Sequence, residues 1–236
     1  MVSGGPLPCA ALLVALASPA VAEDCRLALV LALDVSSSVD ADEDRLQREG
    51  LARALVAPRV VEAFLAGDPV ALYAFEWSAK RAQVALTPGW VMVEGEADLR
   101  SVAAAIAGSE RSHDEFPTAL GAALGHAAIL LRDGPACRAR TVDVAGDGIN
   151  NESFVPRIAY REFPFEGVTV NALVIGGDDD AARIVAWFQA EVLRGPGAFS
   201  VYADGYEDYA RAMEAKLLRE LAPAAVSGVA TGGGAG

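Results

Sequence analysis

The sequence predicts an α/β fold: a mostly parallel sheet covered by helices on both faces. Three observations carry that expectation. Short apolar runs alternate with segments of helical spacing through most of the 236 residues. Several runs are apolar at every position, the pattern of a strand buried on both sides. The composition, 53% hydrophobic with 22% charged residues, supports a large packed core and excludes a disordered chain. At this length one domain is expected, since ~200–250 residues is ordinary for a single α/β unit.

Charge narrows the function classes. Nineteen basic residues against 32 acidic ones leave a net charge of −13. Nucleic acid and anionic membrane surfaces both recruit basic patches, so neither is an expected partner. Two histidines and three cysteines leave little room for a zinc site.

The elements follow in order. Residues 10–16, Ala-Ala-Leu-Leu-Val-Ala-Leu, form a short apolar run, and Ala20-Val21-Ala22 fits a small-residue cleavage site. The run falls short of the ~20 apolar residues that a membrane span needs. Residues 1–22 therefore read as a signal peptide, although no Lys or Arg precedes the run; an apolar strand or helix is the alternative. The signal predicts a secreted chain, periplasmic or extracellular. Arg26–Leu33 reads as a strand buried on both faces, followed by a helix around Asp42–Val56 and a short continuation from Pro58 to Leu65. Val70–Trp77 is a second strand after the Gly67-Asp68-Pro69 turn, and Gln83–Thr87 returns as a short antiparallel edge strand. Ala97–Ala107 is a small helix. Thr118–Leu131 is a stronger one, whose Gly121 and Gly125 let its backbone lie close against a sheet. Thr141–Gly146 and Val168–Ile175 are strands, with a helix over Glu152–Phe163 between them. Asp180–Leu193 is amphipathic, with Ile184, Trp187, Phe188 and Val192 on one face, and Asp178–Asp180 cap it. Phe199–Ala203 and Tyr206–Leu221 are the last strand and helix. The domain thus spans 23–221, and residues 222–236, small and glycine-rich, form a disordered tail.

Cysteine placement agrees with an oxidising compartment. Loss of the signal removes Cys9 and leaves Cys25 and Cys137, lying 9 and 10 residues before Asp34 and Asp147 at the ends of their apolar runs. If those runs are adjacent parallel strands with both aspartates at one edge, the cysteines differ by one residue, or ~3.3 Å along the strand, with ~4.8 Å between strands. That separation falls near the ~4.4–6.8 Å window for a disulfide. A Cys25–Cys137 bridge is expected; two buried free thiols are the alternative.

In open parallel sheets the ligand site lies beyond the carboxyl ends of the strands. Three segments have that address. The first strand ends in Asp34-Val35-Ser36-Ser37-Ser38, Thr118 opens the glycine-containing helix, and Gly146-Asp147-Gly148 follows a later strand. Five oxygen donors (Asp34, Ser36, Ser38, Thr118 and Asp147) suit a hard divalent cation, Mg²⁺ or Mn²⁺. Taken singly, Ser-Ser-Ser before an acidic helix also fits an N-cap, and Asp147-Gly148 a turn.

Asp34-x-Ser36-x-Ser38, Thr118 within Thr118-Ala119-Leu120-Gly121-Ala122-Ala123-Leu124, and Asp147-Gly148 together resemble the metal-ion-dependent adhesion site of von Willebrand factor A domains. The resemblance runs from about Cys25 to Leu221 and is closest to a group of secreted bacterial proteins of unknown function. It implies a doubly wound, six-stranded sheet in which the strands ending at Asp34 and Asp147 are neighbours. It also implies that Ser36 and Ser38 bind the cation directly, and Thr118 and the two aspartates directly or through water. A carboxylate from a protein partner would fill the remaining position. Gly146 stands where the family often has Thr, which implies looser surroundings for the site.

Other residues sit near the same edge. Glu76, Trp77 and Ser78 follow the second strand, and Trp77 is a candidate partner anchor or a core residue. His113, Asp114 and Glu115 precede Thr118, so His113 is a second candidate contact or part of a solvated loop. Asn150 and Asn151 follow Asp147 and orient its loop or turn the chain, Asn150 being a further candidate contact. Asp143, in mid-strand, needs a cationic or hydrogen-bonding partner that the sequence does not name.

The leading expectation is a secreted, cation-holding module that engages an acidic group of a protein partner, without catalysis. The alternative is a Mg²⁺-dependent hydrolase of phosphate esters, for which His113 is the one obvious base. No G-x-S-x-G, P-loop or lysine near these loops supports that alternative.

Overall fold

The computed structural model describes residue 1 and residues 25–177 and 180–222. Residues 2–22 of the expected signal peptide, Asp178 and Asp179, and residues 223–236 of the expected tail lie outside the described residues. Strand β1 (Cys25–Asp34) runs through the centre of a seven-stranded sheet. It is parallel to β2 (Val70–Trp77) on one side and to β5 (Cys137–Gly146) on the other. Beyond β5 lie β6 (Val168–Gly176) and β7 (Ser200–Asp204), both parallel.

The outer edge of β2 is shared by two antiparallel strands. β3 (Gln83–Ala85) pairs with Phe75–Trp77, and β4 (Val91–Val93) with Val70–Leu72. β4 is the strand by which the sheet exceeds the expected six. Its three residues after Pro88-Gly89 are too few to show a period in the sequence.

Successive β1 side chains point to opposite faces, and each face has its own core. Leu29, Leu31 and Leu33 pack with α1 (Ala41–Leu55), α2 (Pro58–Phe64), α3 (Glu96–Ala107) and α7 (Tyr209–Leu221). Ala28, Val30 and Ala32 pack on the other side with α4 (Leu120–Asp133) and α5 (Pro156–Glu162). The segment expected as one amphipathic helix is α6 (Ala181–Trp187) running into a π-helical turn at Phe188–Val192. Phe188 and Val192 are buried, as their spacing predicts, whereas Ile184 and Trp187 are half-buried. Asp180 is the N-cap residue of α6, but its side chain pairs with Arg183 (2.7 Å) rather than capping.

Cys25 and Cys137 are directly opposite in the β1–β5 register and form a disulfide, Cα to Cα 4.5 Å. The one-residue stagger expected between them lies at the other end. Leu33 faces Ala145, so Asp34 faces Gly146, and Asp147 stands one residue further out. The helix glycines also have a different neighbour from the one expected. A Cβ at Gly121 would stand 1.9 Å from the Phe154 carbonyl oxygen, and one at Gly125 would stand 2.9 Å from the Phe163 ring. At these two glycines the α4 backbone meets the 154–163 segment, while its leucines and alanines pack on the sheet. Among the described residues no helix is long and apolar enough to cross a membrane.

Candidate metal centre

Asp34 ends β1 fully buried, and its Oδ1 accepts a hydrogen bond from Ser36 N (2.8 Å). This Asx turn carries the chain away from the sheet and turns the serines inward. The serines do not cap α1. Asp40 does, accepting from Asp42 N and Glu43 N, while Glu43 returns a bond to Asp40 N. The hydroxyls are therefore available for another use.

Backbone bonds stitch four segments together, those around residues 35–37, 77–78, 116–119 and 151. Val35 N donates to Trp77 O, Ser37 N to Phe116 O, Ala119 N to Ser78 O, and Asn151 N to Thr118 O, all within 2.8–3.0 Å. Asn151 Oδ1 accepts from Thr118 N and Asn150 Oδ1 from Gly121 N, each at 2.9 Å. Both asparagines thus orient the loops around Thr118. Arg111, without a signal in the sequence, clamps the first loop by donating to Val35 O and Ser36 O (2.9 Å each). Gln47 Nε2 holds Asp34 O at 2.8 Å.

The five oxygen-bearing side chains that the sequence singles out converge. Thr118 Oγ1 donates to Ser36 Oγ (3.1 Å), Ser36 Oγ lies 3.2 Å from Ser38 Oγ, and Ser38 Oγ donates to Asp147 Oδ1 (2.7 Å). Because the Ser38 hydrogen goes to Asp147, Ser36 is the donor in the bond between the serines. The chain is directional: its hydrogens point toward Asp147. Asp147 Oδ2 accepts in turn from Tyr206 Oη (3.1 Å). Tyr206 follows β7 at the same sheet edge, so the strand-end address that found the aspartates covers it too.

Asp34 Oδ2 is the exception, a buried carboxylate oxygen without a hydrogen-bond partner. Burial, and then repulsion from Asp147, push the Asp34 carboxyl up to about 8, although the Ser36 bonds and Arg111 oppose the rise. Burial and the neighbouring carboxylates also raise Tyr206. A divalent cation would supply both the missing partner and the missing positive charge. The residues fit such an ion: two carboxylates and three hydroxyls, all hard oxygen donors. Among the described residues no three His, Cys, Asp or Glu cluster into a metal site of the usual kind, so a cation here would depend on the hydroxyls.

Gly146 sits directly beside Asp34 and Phe188. A Cβ there would lie 3.2 Å from Asp34 Oδ2 and 3.3 Å from the Phe188 ring, so the position is closed to larger residues unless these neighbours move. The candidate contacts Glu76 and Trp77 are inside the protein, 1% and 0% exposed. Trp77 is a core residue. Glu76 forms a buried ion pair with Arg48 and accepts from Ser112 N (2.9 Å), so it fastens the 109–112 loop. Pairing with Arg48 of α1 holds Glu76 inside, where strand alternation alone would leave it ambiguous, and Trp77 is drawn in by the core of the opposite face. His113 is half-buried with its ring 4.6 Å from Phe116, and Asn150 is half-buried in the loop bonds above. A cavity of ≈ 530 Å³ opens beside Ser38 and Asp147, bordered by Asp40, Glu43, Tyr206 and Glu207.

Residues 24–225 match a protein family described as "protein of unknown function (DUF1194)". No curated protein matches the chain. Solved structures with the same fold include a von Willebrand factor type A protein from Catenulispora acidiphila (14% identity, TM-score 0.55, 84% of this chain and 43% of that one). The pilus adhesin SpaC from Lactobacillus rhamnosus GG is similar at 16% identity and TM-score 0.59 over 84% of this chain and 30% of that one. Proximal thread matrix protein 1 from the mussel byssus, solved with a zinc-occupied MIDAS motif, is similar at 16% identity and TM-score 0.53, covering 85% and 48%. These identities show a shared fold, that of von Willebrand factor A domains. The chain spans less than half the length of each of the three.

Proposed function

The chain belongs to the DUF1194 family, and because that membership brings no activity with it, we propose from the site itself that the protein is a secreted, cation-dependent binding module. Asp34, Ser36, Ser38, Thr118 and Asp147 would hold Mg²⁺ or Mn²⁺, and a carboxylate of a protein partner would complete its coordination. The observation that carries this reading is the directional hydroxyl chain ending beside a buried, unpartnered carboxylate oxygen of Asp34. Such an arrangement is costly without an ion, since a buried polar atom lacking a partner is destabilising by ~1–3 kcal/mol. Bound there, the ion would act as a Lewis acid toward an external anionic oxygen, because three of its ligands are neutral.

Two kinds of support come from elsewhere in the molecule and its relatives. The Cys25–Cys137 disulfide fits an oxidising compartment. The similar folds include a pilus adhesin and a byssus protein with a zinc-occupied MIDAS, which favours a binding role over a catalytic one. The phosphate-ester hydrolase alternative gains no support from His113, whose ring packs on Phe116.

Calorimetric titration with MgCl₂ and MnCl₂ tests the site. The wild-type chain should bind one ion, and Asp34→Ala should lose binding while its circular dichroism spectrum stays unchanged. Equal affinity in the variant would remove the assignment. Binding of the ion without any gain in affinity for carboxylate-bearing proteins would leave the site but overturn the partner.

A further inference from the structure

A second polar cluster lies on the α7 face of the sheet, within the core. Lys216 of α7 is fully buried, and Asp143 of β5 and Glu220 of α7 are 1% exposed. Lys216 Nζ stands 2.6 Å from Asp143 Oδ1 and 2.6 Å from Glu220 Oε1. The two contacts differ in kind. Glu220 Oε1 accepts a hydrogen bond from Nζ and a second from Asn171 Nδ2 at 3.0 Å, which fixes it as an acceptor. Asp143 Oδ1 is held by the amine as a close ion pair, and its Oδ2 has no hydrogen-bond partner. The Phe199 ring lies 5.3 Å from Nζ, and Tyr209, also fully buried, is the other titratable group close enough to feel Asp143.

We propose that Lys216 and Asp143 are joined by an intramolecular amide bond that the folded chain forms by itself, with Glu220 as the group that moves the proton. Nothing in the metal centre is needed for this reaction, so the two readings stand or fall separately.

Three physical arguments point to it. Two carboxylates around one ammonium in the core are expensive to keep ionised, and condensation of one pair removes two of the three charges while Asn171 Nδ2 still donates to Glu220. Burial, the largest influence, pushes the Asp143 carboxyl up to about 7, toward the acid form whose hydroxyl can leave. Holding amine and carboxyl together in one fixed geometry replaces a bimolecular encounter with an intramolecular one, for which effective molarities of ~10⁵–10⁸ M are known. Exclusion of water also favours the amide at equilibrium.

The step balances within the cluster. Transfer of a proton from Lys216 to Asp143 gives a neutral amine and a carboxylic acid with no change in net charge. The Nζ lone pair then adds to Asp143 Cγ, forming the C–N bond. Glu220 takes a proton from the nitrogen and delivers it to the departing hydroxyl. The C–O bond breaks, one water leaves, and Glu220 is a carboxylate again. No oxidant, reductant or activating cofactor takes part. The product would tie α7 to β5, the strand that the disulfide already ties to β1.

The intact mass of the purified, disulfide-bonded protein, measured under denaturing conditions, tests this directly. It should fall below the sequence mass, corrected for the disulfide, by the mass of one water. Trypsin should fail to cut at Lys216 and should release a branched peptide joining residues 141–157 to residues 212–219. Lys216→Arg and Glu220→Gln should both restore the uncondensed mass. An uncondensed mass for the wild-type chain overturns the proposal. Loss of ammonia instead of water, which would make Asn171 the acceptor, also overturns it. So does loss of water without the branched peptide, the mark of a cyclised Asp147-Gly148.

Discussion

Asp34 shows how much a single residue gives up at the proposed cation site. Its carboxyl is raised from 3.8 to about 8, first by burial and then by Asp147. A carboxyl whose folded value exceeds its unfolded one favours folding fully below the unfolded value, and that contribution disappears as pH climbs through the folded value. In metal-free protein, stability should therefore decline between about pH 4 and pH 8. Asp34→Asn keeps the shape and removes the charge, so it should be nearly equal to wild type at pH 4 and more stable at pH 8 by several kcal/mol, at ~1.4 kcal/mol for each unit of the rise. Urea unfolding in EDTA at both values measures the difference, and a variant less stable at pH 8 would contradict the account. Added Mg²⁺ should reverse the order by binding only the folded wild type. At this scale the sequence was readable where chemistry is repeated in a pattern, as in Asp34, Ser36 and Ser38. It was silent on Arg111, a lone loop cation whose contacts are with backbone oxygens that no side-chain pattern encodes.

Among the elements, strands were legible because β1, β2, β6 and the second half of β5 are mostly buried and so read as largely apolar runs. Helix ends were less so. α4 begins at Leu120 rather than Thr118 because Thr118 N is committed to Asn151 and its hydroxyl to Ser36. The glycines of α4 connect this element to the site. A Cβ at Gly121 would meet the Phe154 carbonyl, which is backbone and cannot rotate aside, whereas one at Gly125 would meet the Phe163 ring, which can. Gly121→Ala should thus cost about 3 kcal/mol or more, and Gly125→Ala no more than about 1 kcal/mol once the ~1 kcal/mol gain in helix propensity is counted. Denaturant unfolding of both variants ranks them. Gly121→Ala should also weaken Mg²⁺ affinity, since Gly121 N is the anchor of Asn150 beside the Asp147 loop. Equal stability of the two variants would mean that α4 is free to slide on the 154–163 segment.

For the whole molecule, the central pair β1–β5 carries a different function at each end. At one end the register places Cys25 opposite Cys137, and at the other it staggers Asp34 and Asp147 by one residue, so that Asp147 reaches Ser38 while Asp34 stays beneath. The residue counts allowed either end to be staggered, and side-chain packing over ten residues decided which. Separation of the two ends makes the last prediction sharp. The disulfide closes a loop with a sequence separation of 112, for which the chain-entropy estimate is ~4.7 kcal/mol, with measured values typically ~2–4. Replacing Cys25 and Cys137 by serine should lower unfolding stability by about 3–4 kcal/mol. The proposed cation site, ~30 Å away along ten strand residues, should keep its Mg²⁺ affinity within about twofold wherever the variant is folded. Paired urea unfolding and calorimetric titration read the two quantities independently. A fall in affinity that parallels the fall in stability would show that the ends of β1 are coupled, and that the bridge belongs to the binding machinery as well as to the scaffold.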